Sequence, residues 1–538
     1  MTPKSAQRRL VADLVPEGVV VAIAYLAAHG LMFLNKGIYW DDWMNFRQPW
    51  SLLAEMSSQV GSIWPAWTLA ALYQSDTSVW IARAFVAICY LLASLWFLGI
   101  LRNSGVDRTT RLVMAVCFAL FPVNGARIPI ATAQYGVALA LFVGGFRLVV
   151  ASVGRKGFAL RSLAALALLF SLRAASFGVF LPLVYAYVIW REGAAREPRR
   201  WLSIAARHAE LLAVPLVFVA LRQFVFVPYG TFADYNTFSL ASLASLPRGV
   251  VAATWHSLIQ PLILGVGSVV SVAGLVAALM ILVALMLGSG RIDLADQDAG
   301  DRVMVRRQAA VWLAVGLGLV VLALLPYLLV GKMPALSDFE SRHQLLVPFG
   351  VAIAMGAGLR LACGTSRKGT LTMIVVAALL FGGFASADFE NNVSYLRERY
   401  KHIAMVEAMR AQPEFRDATT FLFDDRTYAL NANQRTVVRA TEYAGMMNLA
   451  FGTQTRFGAD LVQFASSGMA SYRSSFRQWE KMAEYHERPV QYLVDVVPGS
   501  PDLGSTRAVL ALLATDITNP SRLRDATRGA VRLRLRVP

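Results

Sequence analysis

Cysteine and charge are both scarce in this sequence. The three cysteines, Cys89, Cys117 and Cys363, lie inside apolar segments, where they have neither the spacing of metal ligands nor that of a disulfide framework. They therefore exclude a cysteine-based scaffold and leave the redox compartment open. Internal repeats, Gly-rich phosphate loops and low-complexity tracts are also missing from the pattern, so nothing indicates a repeat protein or a P-loop enzyme.

Charged residues make up only 16% of the 538 residues, whereas hydrophobic residues make up 56%. The apolar residues come in separate runs of about 20, the length that crosses the hydrocarbon core of a bilayer. A soluble fold of this size would not show such runs, so we expect an α-helical polytopic membrane protein with about eleven spans in residues 1–386. The runs are 19–34, 80–101, 111–122, 132–150, 159–175, 177–190, 209–226, 262–288, 308–330, 344–362 and 370–386.

The basic residues predict how these spans are oriented. The net charge of +17 comes mostly from Lys and Arg in short loops between apolar runs, which is typical of membrane proteins, so we expect no nucleic-acid partner. Threading the runs alternately collects most of these cations, beginning with Lys4, Arg8 and Arg9, on one side, which is therefore cytoplasmic. The N-terminus is then cytoplasmic and the C-terminus extracytoplasmic. The bias toward Ala, Leu and Arg favours a bacterial inner membrane, and we interpret the first run as a retained span rather than a signal peptide.

After residue 386 the composition becomes mixed polar and apolar, and no run is long enough to span a bilayer. We expect residues 387–538 to form a small, soluble, extracytoplasmic α/β domain. The predicted strands and helices are as follows: strands near 421–423, 491–497 and 509–514, and helices over 395–409 and 441–451.

Two adjacent acids, Asp41 and Asp42, follow the first run at the membrane surface. A carboxylate within hydrogen-bond reach of an acceptor hydroxyl takes its proton as the oxygen attacks a sugar, so either acid is a candidate catalytic base. Their aromatic neighbours Tyr39 and Trp43 are candidates for binding the sugar or the acceptor. The alternative is an interfacial aromatic belt with solvated acids among the rings.

A second group of polar residues precedes the tenth run. Arg342, with His343 and Lys332, is suited to hold a phosphate whose charge grows as a glycosyl bond breaks, and Glu340 is a weaker candidate for sugar or acceptor contact. Arg supplies the bidentate contact. The alternative is an ordinary snorkelling cation at a helix end, beside a His that only satisfies a neighbour.

A third group lies in another outer loop. Arg127 is costly at membrane depth unless it is paired, so it is a candidate for contacting either the acids of the first loop or a lipid phosphate. Asn124, Gln134 and Tyr135 are candidates for binding sugar hydroxyls, and a purely structural role is the alternative for the whole group. All three groups fall on the predicted extracytoplasmic face, although the acids were not used to predict the orientation.

The pair Asp41-Asp42 after the first span, together with Ser341-Arg342-His343 before a late span, resembles the GT-C superfamily of membrane glycosyltransferases. The resemblance implies an enzyme that transfers sugar, with inversion, from a polyprenyl-phosphate-linked donor to a hydroxyl of a glycan, lipid or protein. It further implies that Asp41 or Asp42 is the base or a metal ligand, and that Arg342, with His343 or Lys332, contacts the donor phosphate. A divalent metal is possible, and its ligands are not identified by the sequence.

Other membrane functions fit parts of the same pattern. A flippase or transporter for lipid-linked saccharides also has many spans and basic cavities, but it needs no paired acids at one face and is usually built from inverted repeats. An O-antigen polymerase or ligase is chemically closer, but its large soluble part lies between spans, whereas the soluble part here is C-terminal. A scaffold that displays the C-terminal domain needs only one or two spans.

Overall fold

The computed structural model describes residues 17–62, 64, 67–153, 157–193, 200–233, 240–289, 299–466, 485–486 and 488–538. The predicted cytoplasmic cations Lys4, Arg8 and Arg9 lie outside these ranges. The described helices of the apolar part are α1 Glu17–Leu34, α2 Asp42–Asn45, α3 Trp50–Gln59, α4 Trp67–Leu72, α5 Asp76–Asn103, α6 Arg108–Leu120, α7 Ala133–Ser152, α8 Phe158–Ser171, α9 Leu181–Arg191, α10 Trp201–Arg207, α11 Ala209–Phe224, α12 Leu240–Thr254, α13 Gln260–Val269, α14 Val272–Gly288, α15 Ala299–Leu329, α16 Val347–Cys363 and α17 Arg367–Arg410.

Six helical segments of the described chain are long and apolar enough to cross a membrane, and a seventh is added if the bent pair α10 and α11 counts as one span. The six are Glu17–Leu34, Asp76–Asn103, Ile130–Ser152, Ser242–Val269, Met304–Leu329 and Arg367–Arg410. The other predicted runs form shorter apolar helices, among them α8, α9, α14 and α16, each of 17 residues or fewer. The expected helical membrane architecture is therefore present in outline.

One predicted run, 262–288, is divided in the structure. α13 ends at Val269 and α14 begins at Val272, because the Ser271 hydroxyl accepts a hydrogen bond from the Gly274 N–H (3.0 Å) and so caps the second helix. The first half of the run belongs to the helical segment Ser242–Val269, which begins 20 residues before the predicted run.

Small residues allow the apolar helices to approach closely. A Cβ atom added to Gly316 of α15 would lie 2.4 Å from the Ala354 amide nitrogen of α16, and one added to Gly382 of α17 would lie 2.5 Å from the Ala278 Cβ atom of α14. Inside a bilayer the hydrophobic effect does not drive helices together, so they associate through close packing of this kind at small residues.

Two of the basic loops predicted to share one side, those that contain Arg111 and Arg360, meet at one end of the bundle. Arg111 forms an ion pair with Glu17 (2.6 Å), and Arg360 forms one with Asp107 (2.5 Å). At the other end, buried Arg83 of α5 donates to backbone carbonyls of the first loop, among them Gly37 (2.7 Å). This guanidinium fixes the loop that carries the two adjacent acids.

The C-terminal part contains a four-stranded sheet in the order β2-β1-β3-β4, formed by β1 Thr420–Asp425, β2 Phe457–Asp460, β3 Tyr492–Pro498 and β4 Val531–Arg536. β1 is parallel to β2 and β3, and β4 is antiparallel to β3. The helices that accompany the sheet are α18 Pro413–Asp417, α19 Ala440–Phe451, α20 Thr506–Thr518 and α21 Leu523–Thr527. The expected small α/β fold is present, with two of the predicted strands and both predicted helices.

The prediction of a strand over 509–514 is wrong, because these residues belong to α20. Their sequence is rich in Ala and Leu, which favour helix, and the Ser505 hydroxyl caps the helix by accepting from the Ala508 N–H.

The apolar bundle and the sheet are joined by a continuous helix of 44 residues, α17, and the proposed boundary between residues 386 and 387 falls inside it. Beyond the bundle, α17 carries Lys401, whose ammonium pairs with the buried Asp425 carboxylate at the end of β1 (2.5 Å). α19 packs against α2, and Gly445 permits this contact because a Cβ atom there would lie 2.8 Å from the Trp43 ring. The sheet is thus held against the loop that follows α1.

Candidate functional site

A cavity of about 860 Å³ lies at the end of the helical bundle that adjoins the C-terminal sheet. Its mostly apolar walls come from α2, α3, α5, α7, α11 and the end of α15, together with the turn after α8 and the short helix Phe339–Gln344. The volume is within the range of sites that hold small ligands. The charged and titratable residues that line it are Asp41, Tyr135, Arg173, Arg222, Tyr327, Lys332, Arg342 and His343.

Asp41 is the first of the two predicted acids and faces this cavity. It precedes α2, and the residue before it, Trp40, has a φ of 50°, a left-handed conformation that bulky residues rarely adopt. The Asp41 Oδ1 atom accepts a hydrogen bond from Arg439 at the start of α19 (2.9 Å), and both side chains are partly exposed. A partly exposed carboxylate at the rim of a cavity can approach a bound hydroxyl.

Asp42 has a different environment, although it is the next residue. Its side chain is fully buried, and its two oxygens accept from the N–H groups of Ile130 (2.9 Å) and Ala131 (2.7 Å) and from the Tyr73 hydroxyl (3.1 Å). Burial raises the pKa of Asp42 to about 6, although these donors act in the opposite direction. Asp42 does not line the cavity and joins the first loop to the turn before α7.

Arg342 belongs to the loop before α16 and lines the same cavity as Asp41. Its guanidinium lies over the Phe339 ring, 3.6 Å from the centroid, and Nη2 is 3.7 Å from a Glu340 carboxylate oxygen. The Arg439 guanidinium is 5.4 Å from the same ring centroid. Arg342 and Arg439, the cation that holds Asp41, therefore both contact Phe339, which brings the two predicted groups into one site.

His343 is buried beside Arg342. Burial, and then the Arg342 charge, lower its pKa to about 3, so the imidazole is neutral at pH 7. Nδ1 lies 3.5 Å from the Met333 carbonyl oxygen, and Nε2 has no hydrogen-bond partner among the described residues. A ring that donates from Nδ1 leaves Nε2 as an acceptor, which suits a hydroxyl group better than a phosphate.

Of the other predicted residues, Lys332, Gln134 and Tyr135 also line the cavity, whereas Glu340 is half-exposed beside Arg342. The structure does not bring the remaining four to its walls. These four are Tyr39, Trp43, Asn124 and Arg127.

The four residues away from the cavity walls make internal contacts. The Tyr39 hydroxyl donates to the Tyr395 carbonyl (2.7 Å), and Trp43 packs on His402. Arg127 donates to the Asn124 carbonyl (2.8 Å) and lies 2.9 Å from a ring nitrogen of His29. These contacts favour the alternative interpretation, in which the four residues have structural roles.

Two cavity residues received no role from the sequence, namely Arg173 and Tyr327, and Arg439 beside Asp41 was also missed. An isolated Arg between two apolar runs, as at position 173, indicates a functional residue, because an unpaired charge within the membrane is costly. Arg439 gave no such signal, because it lies 398 residues from the acid that it contacts.

In the described part of the chain, one group of three acidic or His side chains has ligand atoms within 4.8 Å of one another, namely Glu398, His402 and Glu442. It lies between α17 and α19 and does not include Asp41. The Arg435 guanidinium already joins its two carboxylates, at 2.5 Å from Glu398 and 2.6 Å from Glu442. Because Asp41 is not part of this group, the group adds no ligand to a divalent metal bound at Asp41.

Comparison with known proteins does not place the chain in a family: no protein-family model matches it, and no curated protein matches it.

Proposed function

We propose that this protein is a glycosyltransferase that moves a sugar from a polyprenyl-phosphate-linked donor to a hydroxyl group of a cell-envelope glycan, lipid or protein. The observation that carries the proposal is that Asp41 and Arg342, 301 positions apart, line one cavity and are linked through Arg439 and Phe339. An acid and a guanidinium in one cavity supply the two groups that sugar transfer from a phosphate requires.

The cavity suits a lipid-linked donor for a second reason. Its apolar walls lie between the ends of apolar helices, where a polyprenyl chain can enter from the bilayer, and its cations Lys332 and Arg342 lie where the headgroup follows. A soluble nucleotide sugar would gain nothing from such walls.

The proposed reaction assigns one step to each group. The acceptor hydroxyl oxygen forms a bond to the anomeric carbon while its proton passes to the Asp41 carboxylate. The bond between the anomeric carbon and the phosphate oxygen breaks on the opposite face, so the configuration inverts. The electron pair remains on the leaving phosphate, whose charge Arg342 stabilises. Arg439 bonds to Oδ1 of Asp41 and so orients the carboxylate toward the acceptor.

We further propose that eleven helices cross the bilayer, namely α1, α5, α6, α7, α8, α9, α11, α14, α15, α16 and α17. The long segment Ser242–Val269 then stays at one side. This is supported by its two ends: Ser242 lies against Gly331, just past α15, and Ser271, just past α13, is bonded to Ser386 (3.2 Å). Both contacts are at the end of the bundle that carries the cavity. With a cytoplasmic N-terminus, this end and the C-terminal domain face the periplasm of a bacterial inner membrane.

The test is a transfer assay on the full chain in lipid nanodiscs. A panel of polyprenyl-phosphate sugars is supplied with envelope glycan and lipid acceptors, and release of polyprenyl phosphate is measured. We expect Asp41→Asn to lower turnover by about 10²-fold or more, which is typical for the loss of a general base. Its thermal stability should stay close to that of the unaltered protein, because a partly exposed ion pair contributes only about 0–1 kcal/mol.

The matched control is Asp525→Asn, which removes an exposed acid paired with exposed Arg528 and should leave turnover unchanged. Turnover of Asp41→Asn within twofold of the unaltered protein would remove the catalytic role of this residue. Binding and transbilayer movement of the lipid, without turnover of any donor in the panel, would instead support a flippase.

A further inference from the structure

The cavity contains more positive charge than one phosphate requires. Among the described residues that line it, four have basic side chains and one, Asp41, is acidic. Asp41 already pairs with Arg439 from outside these walls, and His343 is neutral at pH 7. The four cations are Arg173, Arg222, Lys332 and Arg342.

Arg173 is the least satisfied of these cations. It lies in the turn between α8 and the short helix Ala175–Phe180, and its backbone N–H donates to the Phe170 carbonyl (3.1 Å). Within the ranges that the structure describes, its half-buried guanidinium forms neither an ion pair nor a hydrogen bond. A charged group that lines a cavity between membrane helices is costly unless something neutralises it.

Other buried arginines of this protein do have partners. Arg83 donates to three backbone carbonyls, Arg360 pairs with Asp107, and Arg435 pairs with two glutamates. In these three cases protein groups satisfy the guanidinium. Arg173 lines the cavity instead, and no described residue pairs with its guanidinium, which indicates that its partner is a bound molecule.

Arg222 of α11 adds a second charge at the same place. Its Nη1 atom donates to the carbonyl oxygens of Val60 (3.1 Å) and Gly61 (2.5 Å), and it forms no ion pair with an acid among the described residues. It is close enough to Arg173 for the two charges to repel each other. Two like charges that face one cavity without an acid between them are stabilised by an anion.

We propose that Arg173, assisted by Arg222, is a second anion-binding subsite, so that the molecule held in the cavity has two anionic groups rather than one. This inference rests on the proposed function, in which Arg342 and Lys332 bind the first phosphate. The second anion is either the other phosphate of a polyprenyl diphosphate or the carboxylate of an acidic sugar. Both are recognised by the same charge-assisted hydrogen bonds.

The experiment measures binding rather than turnover, on the full chain in nanodiscs. Four probes are compared by native mass spectrometry: undecaprenyl monophosphate, undecaprenyl diphosphate, and undecaprenyl monophosphate linked to a neutral hexose or to a hexuronic acid. We expect the unaltered protein to bind one of the two-anion probes about tenfold more tightly than its one-anion counterpart. Arg173→Gln should abolish that difference and change the affinity for one-anion probes less than twofold, whereas Arg342→Gln should weaken all four.

The matched control is Arg306→Gln, on the exposed surface of α15 and about 30 Å along the helix from the cavity residue Tyr327. It should change none of the four affinities. Arg173→Lys keeps the charge and should retain the preference for two anions, and it serves as the test if the Gln variant fails to fold. Loss of the diphosphate preference in Arg173→Gln identifies a second phosphate, and loss of the uronate preference identifies an acidic sugar.

The inference is overturned if the unaltered protein binds two-anion and one-anion probes equally, or if Arg173→Gln weakens all probes alike. In either case tight binding of undecaprenyl monophosphate leaves the proposed function intact. If no undecaprenyl lipid binds at all, the proposed donor and the second subsite are both refuted.

Discussion

Replacing Arg435 with Met removes the guanidinium that joins two fully buried carboxylates between α17 and α19. Nη1 and Nη2 of Arg435 donate to the two oxygens of Glu442 (2.6 and 2.8 Å), and Nη2 also donates to Glu398 (2.5 Å). Burial alone would raise the pKa of Glu442, but the Arg435 charge and its hydrogen bonds hold it at about 2. The ionised form of Glu442 is therefore strongly stabilised by this one side chain.

The magnitude follows from that pKa and from the cost of unpaired buried charge. A pKa held near 2 instead of 4.5 corresponds to roughly 3 kcal/mol of stability at neutral pH. Breaking a buried ion pair by removing one partner typically costs about 3–5 kcal/mol, because the other charge stays buried. We expect Arg435→Met to lower the free energy of unfolding of the C-terminal part by about 3–5 kcal/mol.

The assay is thermal unfolding of the full chain in detergent between pH 2 and pH 8. Because the folded pKa of Glu442 is depressed, its contribution is fully present above pH 4.5 and is lost as the pH falls toward 2. In the variant burial is no longer opposed by the Arg435 charge, so the Glu442 carboxyl binds a proton more readily and the melting temperature should instead rise as the pH is lowered from 7 to 5. Arg426→Met, which removes a half-exposed guanidinium at the end of β1, is the control and should change stability by less than about 1 kcal/mol. An Arg435→Met protein with an unchanged melting temperature at pH 7 would refute this reasoning.

Two further predictions concern the bundle and the site. Gly316→Val should lower the melting temperature of the apolar part, because a side chain at this position meets the α16 backbone. An unchanged melting temperature would show that α15 and α16 can separate at little cost. Arg439→Gln should change the free energy of unfolding by less than about 1 kcal/mol, because its ion pair with Asp41 is partly exposed. It should lower turnover several-fold, because the Asp41 carboxylate is no longer held in place. Equal turnover in the transfer assay would show that Arg439 does not orient Asp41.

The helical bundle was predictable because apolar run length carries most of the information that a membrane helix needs. Errors arose where local chemistry interrupts a uniform composition. Ser271 divides one apolar run, and Ser505 begins a helix where a short apolar segment looked like a strand. The strand Val531–Arg536 was missed, although its buried and exposed residues alternate with the period of two that identifies a strand.

Within the candidate site, the basic loops predicted which groups share a face, and Asp41 and Arg342 do line one cavity. The sequence does not distinguish Asp41 from Asp42, because the difference depends on Ile130 and Ala131, whose N–H groups bond to only one of the two acids. Such pairings join residues almost 90 positions apart, and no local pattern reports them. The catalytic role of Asp41 and the phosphate-binding role of Arg342 remain predictions.

The charges of the first loop show why the C-terminal domain belongs to the site. At the start of the loop, Lys36 pairs with Asp516 of α20 (3.4 Å), and Asp516 is held in turn by Arg399 of α17 (2.7 Å). At its other end, Asp41 pairs with Arg439 of α19. Partners from the C-terminal part therefore hold both ends of the loop, and the direction in which the Asp41 carboxylate points depends on how that domain is seated. A movement of this domain would therefore change the geometry at Asp41, although the domain supplies no residue to the described walls of the cavity.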